Sequence, residues 1–279
     1  MPDPSQAETN APQRVPALSY FFPAHDEADN IEPLVEEALR ELPALAERFE
    51  IIAVDDGSTD GTGDIADRLA AAHPDIVRAV HHPTNLGYGA AVRSGIAAAR
   101  HPLVCFTDGD RQFRIADLAR LTGRLTTPVD SAGARGGTPD VVAGYRIERA
   151  DPALRLAYAR VYRATLRLFF GLRVRDPDCA CKLFRRGVLE GVSVESGGAF
   201  LSAELLIKIR EGGGAIVEQG VPHYPRTAGR ASGADPRVVL RAVRDFWALR
   251  LRLWYDRAGA LRRGQPILDP AERYPGREA

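Results

Sequence analysis

Apolar positions along this chain follow two rhythms. Short apolar runs at residues 18–22, 49–54, 76–80 and 104–107 have the length of strands, and three of them stop at Pro23, Asp55 and Asp108. Between the runs, apolar residues recur every three or four positions: Ile31, Leu34, Val35, Ala38, Leu39 and Leu42, then Ile65, Ala66, Leu69 and Ala70, then an alanine-rich stretch to about Arg100. That spacing predicts helices, the first capped by Asp29 or Asn30 and the second by the turn cluster at 55–61. Strands alternating with helices of this length predict βαβ units and an α/β fold with a mainly parallel sheet flanked by helices. Farther on, the pattern predicts a helix over 115–125, a Gly-, Thr-, Ser- and Pro-rich loop over 126–140 and a strand at 141–145. Helices over 153–170, 201–211 and 236–255 and strands near 181–185 and 215–221 complete the reading. No internal repeat interrupts it. The expected organisation is a disordered tail over 1–16, one domain over 17–257 and a C-terminal tail over 258–279.

Composition narrows this picture. Lys+Arg and Asp+Glu number 37 each, so no global charge argues for nucleic acid. The three cysteines, Cys105, Cys179 and Cys181, fit neither a disulfide framework nor a zinc site, and a reduced, cytoplasmic setting is expected. Residues 1–16 are polar and proline-rich, without the apolar run of a signal peptide. No window approaches the ~20 apolar residues of a membrane span, which leaves a soluble protein or one resting on a membrane surface.

In parallel sheets ligands gather at the carboxyl ends of strands, and the turn clusters that begin at Pro23, Asp55 and Asp108 all lie there. Alternation sends Asp108, Asp110 and Gln112 to the same side as the chain leaves its strand. Carboxylates spaced this way suit Mg²⁺ or Mn²⁺ with positions left open for phosphate oxygens. Turns and helix caps also produce Asp-x-Asp, but the shared location at strand ends favours the chemical reading. The 85–89 stretch precedes a helix whose free N–H groups would face an anion, a Gly-assisted turn being the plain alternative. His81, His82, Cys179 and Cys181 read as strand-end and packing residues.

By motif, the chain resembles the family 2 glycosyltransferases of the GT-A fold. Pro23-Ala-His25-Asp-Glu27 resembles that family's Pro-x-Tyr-Asn-Glu, and Val54-Asp-Asp56-Gly-Ser-Thr-Asp-Gly61 its Val-Asp-Asp-Gly-Ser-x-Asp-Gly. Asn85-Leu-Gly-Tyr-Gly-Ala-Ala91 is similar to Asn-x-Gly-x-Gly-x-Ala. Asp108-Gly109-Asp110-Arg111-Gln112 resembles the Asp-x-Asp-x-Gln of the polyprenyl-phosphate branch, which includes the dolichyl-phosphate mannosyltransferases. Asp176 to Arg186 and Tyr224 to Ser232 resemble that branch's later motifs, so the likeness covers about residues 18–235. Departures fall at His25 and Asp26, where Tyr and Asn are usual, and at Ala180, Cys181 and Lys182 in place of Gly-Phe-Arg.

The resemblance implies an inverting, metal-dependent hexosyltransferase that uses a nucleotide sugar of the GDP-mannose or UDP-glucose type and polyprenyl phosphate as acceptor. It implies a nucleotide-sugar half over 17–146, an acceptor half over 147–257 and C-terminal helices. Pro23, His25, Glu27, Val54 and Asp56 would surround base and ribose, with Asp108 and Gly109 beside them. Asp108, Asp110 and Gln112 would hold Mg²⁺ or Mn²⁺, and Arg146 and Lys182 would face the donor's phosphates. An alcohol acceptor needs a base, for which Glu204 is available. A phosphate monoester is largely dianionic at neutral pH and needs only cationic positioning, which Arg226, Arg230 and Lys182 would provide. The alternatives are a soluble or polysaccharide acceptor on the same fold and a non-catalytic sugar-nucleotide-binding or scaffold protein.

Two segments bear on location. The helix over 153–170 places Leu154, Tyr158, Val161, Tyr162, Thr165 and Phe169 on one stripe, with Arg155, Arg160, Arg163 and Arg167 elsewhere. The 237–257 segment carries six arginines against Asp245 and Asp256, interleaved with Phe246, Trp247, Leu251 and Trp254. Basic amphipathic helices with tryptophan predict peripheral contact with the inner face of the plasma membrane. A membrane-anchoring partner, or helices that pack wholly on the sheet, are the other two readings.

Overall fold

Seven strands form one sheet: β1 (Val15–Ala24), β2 (Ala46–Asp55), β3 (Val77–His81), β4 (Leu103–Phe106), β5 (Val141–Arg146), β6 (Lys182–Arg185) and β7 (Ile216–Val221). The structure is a computed structural model describing residues 14–126, 137–147, 153–226 and 236–262, and every statement below concerns those residues. The helices are α1 (Ala28–Leu45), α2 (Thr62–Ala72), α3 (Tyr88–Ala98), α4 (Leu118–Thr126), α5 (Ala153–Phe170), α6 (Arg186–Leu189), α7 (Leu201–Glu211) and α8 (Pro236–Arg262). Across the sheet the order is β3-β2-β1-β4-β6-β5-β7. β6 runs antiparallel to both neighbours, and the other pairings are parallel.

The position of β1 explains its composition. With β2 on one side and β4 on the other, and helices over both faces, it buries every residue but Pro16. Phe21, Phe106 and Phe184 stack across β1, β4 and β6, with centroids 5.0 and 6.0 Å apart. α3 closes over this row through Gly95, where any β-carbon would strike the Phe21 ring.

The expected elements are present, with differences at their ends. β1 begins at Val15, and its partner β2 correspondingly begins at Ala46, directly after α1, with Val15 opposite Ala46. The N-cap of α1 is Glu27, neither Asp29 nor Asn30. Asn30 lies buried in the first turn, and its amide reaches back to Glu27 Oε2 at 2.5 Å. α2 is capped in effect as expected, since Asp60 Oδ1 accepts the Thr62 N–H at 3.0 Å. The helix expected over 115–125 divides into a 3₁₀ turn (Ile115–Asp117) and α4. No described helix is long and apolar enough to cross a membrane.

Candidate active site

The carboxyl ends of β1, β2 and β4 are adjacent, and the segments leaving them wall a cleft of about 190 Å³. β1 and the turn after it contribute Pro23, Ala24, His25 and Glu27; the turn after β2 contributes Asp56; the turn after β4 contributes Asp108, Gly109 and Asp110. Tyr88 and Ala91 enter from α3, and Arg226 from the segment after β7. Gly109 is required because a β-carbon there would stand 2.8 Å from the Pro23 carbonyl oxygen. Asp26 (φ 53°) and Arg111 (φ 59°) are the two described non-glycine residues in the left-handed region, and each adjoins a cleft residue. Asp26 is held there by its N–H on Ser58 Oγ (3.0 Å) and its carboxylate under the Thr59 N–H (2.9 Å).

Four acidic residues meet one arginine in the cleft. Arg226 donates to Asp110 Oδ2 at 2.7 Å and to Glu27 Oε1 at 3.4 Å. Asp110 Oδ1 accepts the Gln112 N–H at 3.1 Å. Burial pushes the Glu27 carboxyl upward, with Asp110 and Asp60 adding to the rise and Asn30 and Arg226 opposing it. Asp108 is pushed up to about 6, first by burial and then by Asp110, against the opposing pull of the Tyr88 hydroxyl, Lys182 and Arg226. The enclosed Asp108 Oδ1 has no hydrogen-bond partner among the described residues. An orphaned carboxylate oxygen beside a second carboxylate fits a hard divalent cation. No described group of three or more His, Cys, Asp or Glu side chains forms a fuller cage.

Asp56 has a different role from the one its position alone suggests. Its Oδ1 accepts the Leu86 N–H at 2.9 Å and meets His82 Nδ1 at 2.6 Å, and its Oδ2 accepts the Gly87 N–H at 2.9 Å. The anion facing the N–H groups of the 85–89 stretch is therefore this chain's own carboxylate. The Gly89 N–H is likewise engaged, by the Gly197 carbonyl at 3.1 Å. Asp56 still lines the cleft.

Of the residues singled out in the sequence, Pro23, His25, Glu27, Asp56, Asp108, Gly109, Asp110 and Arg226 come together in the cleft. Val54 is fully buried in the core. The Gln112 side-chain amide donates to the Tyr224 carbonyl at 3.2 Å, while its backbone carbonyl accepts the Tyr224 N–H at 2.9 Å. Arg146 forms a bidentate pair with Asp176, at 2.6 and 2.9 Å. Lys182 is fully buried: its ammonium donates to the carbonyls of Pro177 and Cys179 and to Ser202 Oγ, and burial pushes its pKa down. Glu204 is also buried, accepting the N–H groups of Glu195 (3.0 Å) and Ser196 (2.8 Å) and pairing with Lys208 (2.7 Å). Arg230 lies outside the described residues. Tyr88 is the residue the sequence reading missed; it stands inside the 85–91 motif, where the glycines drew attention to the backbone.

Sequence and structure comparisons identify the family and the fold. Residues 19–192 match the family described as glycosyl transferase family 2. Glycosyltransferase AglD of Haloferax volcanii is 31% identical over 86% of this chain, which spans 37% of that protein. The polyprenol monophosphomannose synthase of Mycolicibacterium smegmatis is 29% identical over 85% of this chain and 88% of its own length. Among solved structures, glucosyl-3-phosphoglycerate synthase from Mycobacterium tuberculosis, in complex with Mn²⁺, UDP and glucosyl-3-phosphoglycerate, superposes with a TM-score of 0.63. It shares 22% identity, covering 85% of this chain and 80% of that one, and shows the same fold. The match spans more than half of the chain and includes the strand ends that build the cleft, so this protein is a GT-A-fold glycosyltransferase belonging to family 2.

Proposed function

We propose that the enzyme transfers a hexose from a nucleotide diphosphate sugar to polyprenyl phosphate, with inversion at the anomeric carbon. The observation that carries this reading is the 2.7 Å contact between Arg226 and Asp110. A carboxylate suited to a cation-bound diphosphate and a guanidinium suited to a phosphate acceptor stand side by side in one cleft. The mycobacterial relative, matched over 88% of its length, supports the acceptor class through its name.

In this reading Glu27 and Asp56 accept hydrogen bonds from ribose hydroxyls or a base N–H, and His25 and Pro23 border the base. Asp108 and Asp110 hold Mg²⁺ or Mn²⁺, with Gln112 beside them. An ion held there would supply positive charge for the departing diphosphate. Arg226, with Arg230 on the following segment, holds the acceptor phosphate. A phosphate oxygen attacks the anomeric carbon as the bond to the diphosphate breaks, and no proton need be removed because the monoester is already dianionic. Glu204 is consistent with this, since both its oxygens are engaged by backbone N–H groups and it offers no base. Lys182 and Arg146 act by shaping the 176–182 loop.

The test is a screen of GDP-mannose and UDP-glucose with Mg²⁺, Mn²⁺ or EDTA, with and without polyprenyl phosphate, following lipid-linked sugar. Transfer only to a soluble acceptor, or donor binding without transfer, would overturn the proposal.

A further inference from the structure

α8 is fixed to the body of the protein along one face and leaves a second apolar face largely exposed, met by α5 where Phe169 lies 5.3 Å from the Trp247 ring. Phe246 and Leu249 are buried, and Phe246 sits in an aromatic cluster with Phe169, Phe170 and Phe200 at 5.6, 5.0 and 5.8 Å. On another face Leu240, Val243, Trp247, Leu251 and Trp254 follow helical spacing, and each is 47–72% exposed. Such a stripe of large side chains, two of them tryptophan, is uncommon on a free surface. Charge then distinguishes its partner. Arg241 and Arg244 are exposed along one flank, where Arg252 pairs with Glu195, and Arg250 lies on the other, while the acidic Asp245 is largely covered and paired with Arg244 at 3.3 Å.

We infer that this face of α8 seats on an anionic lipid surface. Two copies packed through the stripe would bring these arginines towards one another, whereas anionic headgroups complement them and indole rings settle at headgroup depth. On α5, whose Phe169 meets Trp247 at 5.3 Å, Tyr158, Val161 and Leu168 are also 62–78% exposed. The stripe also lies near the cleft. Arg241 packs on Gly198, and the adjoining Gly197 carbonyl holds the Gly89 N–H beside Tyr88, which lines the cleft. This inference rests on the acceptor class proposed above only for its purpose; the surface contact itself is separable.

Trp247 and Trp254 are the chain's two tryptophans, so intrinsic fluorescence reports on this face alone. The full-length protein is mixed with vesicles of phosphatidylglycerol, or of phosphatidylcholine, free of nucleotide sugar and polyprenyl phosphate. Expected are co-sedimentation and a blue shift with the anionic vesicles at low salt, quenching by brominated lipid, and reversal at high salt. Arg244→Gln and Arg250→Gln should each lower partitioning about fivefold, and Leu251→Glu should abolish it with an unchanged circular dichroism spectrum. Protein that stays in the supernatant at low salt, equal binding to neutral vesicles, or a lipid-independent blue shift accompanied by dimerisation in light scattering each overturns the inference. Transfer to a short, water-soluble polyprenyl phosphate, assayed without vesicles, tests the acceptor class independently. Vesicle binding without transfer would sink that reading alone.

Discussion

Replacing Asp108 by Asn is expected to stabilise the fold while removing activity. The carboxylate is enclosed at Oδ1, faces Asp110 and has its pKa raised from the ordinary 3.8 to about 6. That rise corresponds to ~3 kcal/mol at most, and solvent in the cleft reduces it to ~1–1.5 kcal/mol. The sign follows from proton linkage. Between pH 3.8 and about 6 the folded protein keeps a proton that the unfolded chain has lost, so stability falls as pH rises and the full penalty is present above about 6. Asn has no such penalty. In EDTA, wild type and Asp108→Asn should therefore melt together near pH 4, and the variant should lead above pH 6.5 by ~2–3 °C. Scanning fluorimetry from pH 4 to 8 makes the comparison. A variant that melts at or below wild type at pH 7.5, or whose lead is independent of pH, refutes the reasoning. Added Mg²⁺ or Mn²⁺ should raise the melting temperature of wild type and leave the variant unchanged, because the cation would relieve the same repulsion.

Asp110→Asn should abolish transfer and, having lost the charge partner of Arg226, should melt at or slightly below wild type; turnover near the wild-type rate would disprove the metal assignment. Arg226→Ala should raise KM for polyprenyl phosphate roughly ten- to a hundredfold, the ~1.5–3 kcal/mol of a charged hydrogen bond, and equal effects on both substrates would place the arginine on the donor instead. Lys182→Met removes the donor shared by the Pro177 and Cys179 carbonyls, so urea denaturation should show a loss of ~1–3 kcal/mol, with donor KM little changed in folded protein. Gly95→Ala forces the Phe21 ring to move and should cost ~1–3 kcal/mol, without altering activity per folded molecule.

The βαβ half was legible because its signals are local. Apolar runs of strand length, helical spacing and turn residues at strand ends define β1 to β4 and place the three carboxylate clusters on one edge. What escaped was pairing at long range. Arg146 and Lys182 read as phosphate ligands because free cations near a strand end suggest anions, but their partners, Asp176 and the loop carbonyls, are fixed only when β6 inserts between β4 and β5. Glu204 was misplaced for a similar reason, since the N–H groups it caps belong to a loop with no pattern of its own. The α5 stripe divided in two: Tyr162 and Phe169 pack on the core, while Tyr158 and Val161 face outward. Periodicity identifies an amphipathic helix, but which residues are covered depends on how broadly its neighbours wrap around it.

The clasp between Gln112 and Tyr224 bears on how such an enzyme can change its acceptor. On the Tyr224 side it uses only the backbone N–H and carbonyl, groups that any residue except proline supplies. The chain returning from β7 is thus moored beside the turn after β4 through its backbone, and the Tyr224 hydroxyl adds a bond to Asp117 at 3.1 Å. Under the proposed function, the residues that follow in sequence could then be exchanged as a module by design, while the carboxylates of the cleft keep their register. On the proposed function, the arrangement would separate the part of the protein that must stay constant for sugar activation from the part that can vary with the molecule to be glycosylated.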